Sequence, residues 1–275
     1  MDGWALQGHT LQSLADRVYF DLERQRAKCY DALCDALRAS PGVEFDIGGW
    51  ARVTDWRWTM TPLSSAGSLK GIGGRFNIGT DLDRARTQAF PCLYLAQDVE
   101  TAFIEYFGGS LASRSGPLSL GELALRRTSS FTTFVLEGRL ENVLDLRTDK
   151  MLKAFADHIS TFDVSVQTKS AIGAARLPQR RIIRSAKELW ERLLDPPEAW
   201  RLEPQAYGIP AACQIFGRFA REAGFEGILF PSRRASGLCL AVYPENFRAS
   251  NGFIRVVGER PDGARWTDLD KDHIQ

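Results

Sequence analysis

The residues Gly67-Ser68-Leu69-Lys70-Gly71-Ile72-Gly73-Gly74-Arg75-Phe76-Asn77 combine a run of glycines with an arginine, and Leu93-Tyr94-Leu95-Ala96 and then Glu105 follow in order. Glycine lets backbone approach a ligand closely, and the planar guanidinium fork of arginine pairs with phosphate. A tyrosine face can hold a cationic ring, and a carboxylate can steady positive charge developing on a sugar. These residue types suit gripping a dinucleotide and breaking a bond in it. Two better-known glycine motifs do not fit. A Walker loop ends in Gly-Lys-Ser/Thr and a Rossmann turn needs a third small residue, whereas Gly71 and Gly73 are followed by Phe76. On glycine content alone the run reads as a tight turn.

The elements that must carry these groups can be read from periodicity. Arg52 lies in a strand-like run rich in Trp, Val and Thr, and Thr61-Pro62 opens the loop toward the glycines. Cys92-Leu93-Tyr94-Leu95 reads as a buried strand. Asp98 is placed to cap a helix with Val99, Ala102, Phe103 and Tyr106 as its apolar face, which puts Glu105 at the edge of that face, half-buried beside the sheet. Phe131 to Leu136 and Val143 to Leu146 read as two strands. The charged, mostly helical stretch from 149 to about 207, broken by Asp195-Pro196-Pro197, reads as an insertion. Pro210 opens a helix that Gly224 stops, and strands follow at Gly227 to Phe230 and Leu238 to Tyr243. Gln214 in that helix reads as a residue that caps or bridges backbone. At the start of the chain, Leu11, Leu14, Val18, Leu22, Cys29, Leu33 and Leu37 recur at helical spacing until Ser40-Pro41-Gly42. Such a stripe is expected to pack on its own domain, with docking of a partner as the alternative. Short strands and helices without regular βαβ spacing predict an α+β fold with a strongly bent or split sheet.

Composition narrows the function classes. The chain has 275 residues, 44% of them apolar, enough to bury a sizeable core and act alone as an enzyme. Lys and Arg number 35 against 34 Asp and Glu, so no global field draws it to nucleic acid or to an anionic membrane. Local basic clusters remain at Arg180-Arg181-Ile182-Ile183-Arg184 and Ser232-Arg233-Arg234. Cys29, Cys34, Cys92, Cys213 and Cys239 are odd in number and scattered, as expected of a reduced cytoplasmic interior. There is no Cys-x-x-Cys pair, and His9, His158 and His273 stand far from the cysteines, so no metal site is expected. No cleavable leader and no long apolar run is evident.

Several pieces, in order, resemble the RES-domain family, which takes its name from Arg, Glu and Ser. They are Trp50-Ala51-Arg52-Val53, Leu63 to Ser68 running into Gly73 to Asn77, Leu93 to Ala96, Thr101 to Glu105, Cys213 to Gly217, Gly227 to Ser232 and Gly237 to Pro244. The resemblance covers roughly residues 46–257, leaving an N-terminal helical extension over 1–45, the helical insertion at about 149–207, and a tail over 258–275. It implies an ADP-ribosyltransferase-like fold, a bent or split mixed sheet flanked by helices. It implies a toxin that destroys NAD by hydrolysis or phosphorolysis, so that NAD is a substrate and no cofactor is needed. Expected partners are an antitoxin or immunity protein and a second copy of the chain.

Carried over, Arg52, Arg75, Tyr94 and Glu105 become site residues, with Gly74 beside Arg75 and Ser232 from the Pro-Ser element. Glu105, Arg75 and Tyr94 are expected to act in chemistry; Arg52, Arg75, Gly74 and Ser232 are expected to hold substrate, with Asn246 a candidate ribose contact. Many members of the family carry a serine shortly before the Gln-x-x-Gly helix, where this chain has Pro210-Ala211-Ala212. The alternatives are transfer of ADP-ribose to a macromolecule, or a catalytically degenerate NAD pocket that serves as a binding module.

Overall fold

The computed structural model describes residues 2–82, 87–107, 130–175, 182–258 and 260–274, with backbone alone over 2–8. In chain order its helices are α1 (Asp2–Lys28), α2 (Tyr30–Arg38), α3 (Val99–Phe107), α4 (Lys153–Ile159), α5 (Val166–Ala174), α6 (Ala186–Leu193), α7 (Pro197–Tyr207) and α8 (Ala212–Glu222). Its strands are β1 (Val43–Asp55), β2 (Leu93–Ala96), β3 (Phe131–Asp145), β4 (Gly227–Pro231), β5 (Leu238–Val242), β6 (Phe253–Val257) and β7 (Asp268–Leu269). Two compact units emerge: a helical one from Met1–Ser40, Gly71–Ala89 and Thr148–Ala223, and a sheet unit from Pro41–Lys70, Phe90–Arg147 and Gly224–Gln275. The architecture is mixed α+β, as the sequence predicts.

In the sheet unit the strands close on themselves. β1 is hydrogen-bonded to β2 on one edge and β3 on the other, β2 continues to β5, β5 to β4, and β4 returns to β3, while β6 and β7 extend from β3. Among the described residues only the β3–β4 pairing is parallel. The closure needs β1 to bend, and the register of its pairing with β3 shifts between Gly48 and Trp50. Gly49, inside that shift, has φ 71°, a conformation that side-chain-bearing residues rarely adopt. The interior is filled by Trp50, Leu93, Leu95, Phe134, Leu136, Leu229, Leu240 and their neighbours.

β3 corrects the expected pair of short strands. It runs unbroken through Glu137–Asn142 because buried Leu136 and Leu140 alternate with outward Arg139 and Glu141, a period-2 pattern that β1 secures along one edge. Glu226, 1% exposed, holds the far end, its Oε2 accepting from the backbone N–H groups of Glu141 and, at 2.9 Å, Asn142.

In the helical unit the N-terminal stripe is two helices rather than one. Cys29 (φ −107°, ψ 20°) interrupts it with no proline or glycine to announce the break. The stripe is covered by the unit's own helices: α1 packs on α5 and α7, and α2 on α4 and α8, with Leu33 and Leu37 fully buried. Leu11, at 37% exposure, is the exception. No described helix is long and apolar enough to cross a membrane.

Candidate active site

Five of the sequence-derived site residues belong to the sheet unit, and four of them, Arg52, Tyr94, Glu105 and Ser232, fall in two clusters. The first is built on α3. Asp98 caps it as expected, its Oδ1 accepting from the Thr101 N–H at 2.7 Å. The buried face differs from the expected one: Val99 and Tyr106 are exposed, and Thr101, Ala102, Phe103 and Ile104 are buried. Thr101 is turned toward the β4–β5 connection, where a Cβ on Gly237 would meet its Oγ1 at 2.3 Å. Glu105 is one helical turn further on and therefore shares that side of α3. Ser232, 8% exposed just beyond β4, donates its hydroxyl to Glu105 Oε1 at 2.5 Å. The direction is fixed, because Ser232 Oγ itself accepts from the Arg234 N–H (3.1 Å) and the Ala235 N–H (2.8 Å). The half-buried Glu105 carboxylate is thus held in place as an acceptor.

The second cluster joins β1, the serine-rich loop and β2. Arg52 follows Ala51, which pairs with Ala96, so Arg52 and Tyr94 leave neighbouring strands within two residues of the same crossing. Arg52 Nη2 donates to the Ser64 carbonyl at 2.8 Å, while its Nη1 is buried and has no hydrogen-bond partner. Burial lowers the Arg52 pKa to about 10, opposed by attraction to Cys92, so the guanidinium stays cationic at neutral pH. The Cys92 thiol donates to the Leu93 carbonyl at 3.9 Å, and burial pushes its pKa up against the opposing pull of the Tyr94 side chain. The loop is tied to β2 through Ser68, whose Oγ donates to the Ser65 carbonyl (2.7 Å) and accepts the Cys92 N–H (2.8 Å). Sequence reasoning passed over Ser64, Ser68 and Cys92 as functional neighbours, although the polar run Ser64-Ser65-Ala66-Gly67-Ser68 was the available signal.

The remaining candidates sit elsewhere. Asn246 is not brought to these clusters: its Nδ2 donates to the Phe225 carbonyl at 2.6 Å, before β4 begins, whereas Ser232 lies past the other end of that strand. Gly74 and Arg75 belong to the helical unit. The Gly74 N–H is given to Asn77 Oδ1 (2.9 Å), and its carbonyl accepts from Gln214. Arg75, 8% exposed, donates from Nη1 to the carbonyls of Leu193 (3.0 Å) and Asp195 (2.8 Å), beside the Trp200 ring at 5.8 Å. The glycine run folds back on itself: Gly79 N–H donates to Ile72 and Asp81 N–H to Gly71, so closely that a Cβ on Gly73 (φ 85°) would be 2.5 Å from the Gly79 nitrogen. Gln214, fully buried, pins this crossing through Nε2 to the carbonyls of Ile72 (2.7 Å), Gly74 (3.1 Å) and Asn77 (2.9 Å), and its Oε1 caps the Ala211 N–H. The Arg180–Arg181 part of the basic cluster lies outside the described residues.

A family model for the RES domain matches residues 50–267. The chain belongs to the RES domain family. The match takes in both clusters of the sheet unit and the glycine run. Among solved structures the RES chain is similar to one in the crystal structure of the M. tuberculosis MbcT–MbcA toxin–antitoxin complex, with 18% identity over 82% of this chain and 90% of that one and a TM-score of 0.44. No curated protein matches it. On the RES frame, Ala211 stands at the N-cap of α8 (φ −67°, ψ 159°), 2% exposed and without a side-chain cap. A serine there would have an ordinary structural use, accepting a hydrogen bond from the first turn of the helix.

Proposed function

We propose that this RES domain consumes NAD by breaking the bond between nicotinamide and the ribose C1′, with water or phosphate taking the sugar. The observation that carries the reading is the Ser232–Glu105 hydrogen bond, which aims and fixes the carboxylate that such a reaction needs. Nicotinamide in NAD is a cationic leaving group. When the C1′–N bond breaks, its electron pair goes to the ring nitrogen, neutral nicotinamide departs, and the ribose carries the positive charge. Glu105 stabilises that oxocarbenium-like sugar and, when water attacks, accepts its proton. The buried Nη1 of Arg52 supplies a charge-assisted donor for the pyrophosphate or for an entering phosphate. The Tyr94 ring confines the nicotinamide.

In this reading Arg75 and Gly74 shape the glycine loop rather than touch substrate. The proposed setting is the cytoplasm, where the free thiols Cys34, Cys92, Cys213 and Cys239 stay reduced. Family membership further supports a toxin silenced by an antitoxin, which pull-down with the neighbouring gene product tests by itself.

The deciding experiment incubates the purified, partner-free chain with NAD, with and without phosphate, and identifies the ribosyl product. Release of nicotinamide that Glu105→Gln slows by about 100-fold or more, with NAD affinity nearly kept, is the expected result. Unchanged NAD in both buffers would leave a binding module as the better reading. ADP-ribose found only on an added macromolecule would make the chain a transferase.

A further inference from the structure

The helical unit carries a half-open cavity of about 180 Å³ that shares no lining residue with the proposed NAD site. Its walls are apolar and partly aromatic, with Tyr19 from α1, Phe155 from α4, Ile172 from α5 and Ile215 and Phe216 from α8 among them. A dry apolar cavity of roughly 150 Å³ is enough to take up benzene. The space therefore matches one or two small rings.

One wall is charged. Arg26 lines the cavity and is largely buried, with a side-chain exposure of 12%. Among the described residues its only hydrogen bond runs from Nε to Glu23 Oε2 at 2.7 Å, which leaves the two terminal guanidinium nitrogens as donors. Glu23 is also bound by Arg218 at 2.9 Å, so this cluster of two arginines and one glutamate has a cation in excess. The other lining cations are matched: Lys169 by Asp163, and Arg192 by Asp195 and Glu203. A buried excess cation beside an apolar chamber favours an occupant with one negative charge and an apolar body.

We propose that this cavity is a second ligand site, which binds a small aromatic monocarboxylate with its rings among Tyr19, Phe155 and Phe216 and its carboxylate on the Arg26 fork. The site is independent of the NAD reading, and its test needs no turnover.

The full chain, labelled at isoleucine methyl groups, is titrated with 1-naphthoate and followed by NMR. Saturable shifts at Ile172, Ile209 and Ile215, with a sub-millimolar Kd reasonable for a ligand of about a dozen heavy atoms, are expected. The sheet-unit methyls of Ile47, Ile228 and Ile254 should stay still. The neutral analogue 1-naphthalenemethanol should bind about tenfold more weakly, and Arg26→Met should erase that difference, since Glu23 keeps Arg218 as its partner. The cavity-filling Ile215→Trp should abolish both ligands' binding; if that variant does not fold, the Arg26→Met comparison decides. No saturable shift at millimolar ligand, shifts confined to the sheet unit, or equal binding of acid and alcohol would each overturn the proposal.

Discussion

Arg75 and Arg52 carry the same charge on the same planar fork, yet the helical unit commits the first to two main-chain carbonyls, and the sheet unit leaves a buried nitrogen of the second without a partner. The difference lies in what surrounds each. Arg75 meets the end of α6, where the carbonyls of Leu193 and Asp195 lack helical donors and a cation is favoured by the helix dipole. Arg52 meets one carbonyl, that of Ser64, and a thiol that offers little. Residue type and order in a motif give the two arginines equal standing; on the proposed reading their donors separate them, Arg75 being held by main chain and Arg52 keeping a donor for an anion.

Gln214 is the strongest test of the claim that the glycine run is built for self-crossing. Gln214→Ala leaves the carbonyls of Ile72, Gly74 and Asn77 and the Ala211 N–H without their partner in a fully buried position. A stability loss of roughly 3–5 kcal/mol is expected in denaturant unfolding, at about 1–3 kcal/mol for each polar group left unsatisfied, less relaxation. A loss under about 1 kcal/mol would show that the loop does not depend on this pin.

The two arginines should then separate cleanly. Arg75→Met is expected to cost about 2–4 kcal/mol, because two carbonyls lose a charged donor. Arg52→Met should change stability by less than about 1 kcal/mol, since the lost Ser64 bond is offset by removal of a desolvated charge. The same Arg52→Met change should weaken NAD binding about tenfold or more in calorimetry, as loss of a charge-assisted phosphate contact would. The reverse pattern, a stable Arg75→Met that cannot bind NAD, would restore Arg75 as a ligand residue and dissolve the contrast.

How much of this was legible beforehand follows the same line. The α+β class, the cap at Asp98, the half-buried Glu105 and the bridging role of Gln214 could be read because each rests on local spacing or on the chemistry of one side chain. The unbroken β3 was missed because Glu137–Asn142 looks like a polar connection until β1 covers one edge and Glu226 grips its far end. The break at Cys29 carries no signal in its residue types. Gly74 and Arg75 were placed against substrate through the family resemblance; the partners they have in the structure come from the end of α6, from α8 and from the loop itself, far away in the chain, and order in the motif does not show these. The Ser232–Glu105 contact spans 127 positions. Order along the chain suggested both residues, but only the packing of α3 on the β4–β5 connection joins them.

Ser232→Ala probes that join with a smaller effect. The Arg234 and Ala235 N–H groups lose their acceptor, which is expected to cost about 1–2 kcal/mol of stability. Beyond this, kcat for NAD should fall about tenfold while KM changes little, because Glu105 loses its fixed aim rather than its charge. Ser232→Thr keeps the hydroxyl and should recover most of the rate. An alanine variant with full kcat at a temperature where it is folded would reduce Ser232 to a turn residue.

The smallest effect is expected where the chain departs from its family. Ala211 occupies the N-cap of α8, and half of a capping box is already present, since Gln214 Oε1 accepts the Ala211 N–H at 3.1 Å. Ala211→Ser would add the other half, an acceptor for an N–H of the first turn, and is expected to raise stability by about 0.5–1 kcal/mol in denaturant unfolding. The position is only 2% exposed, so an oxygen that found no donor would instead lower stability by a similar amount. Turnover of NAD should not move in either case, because the hydroxyl would be consumed by the helix end. A serine variant with unchanged stability and a turnover raised about tenfold would mean that this hydroxyl belongs to the chemistry, and that alanine here marks an attenuated enzyme rather than an uncapped helix.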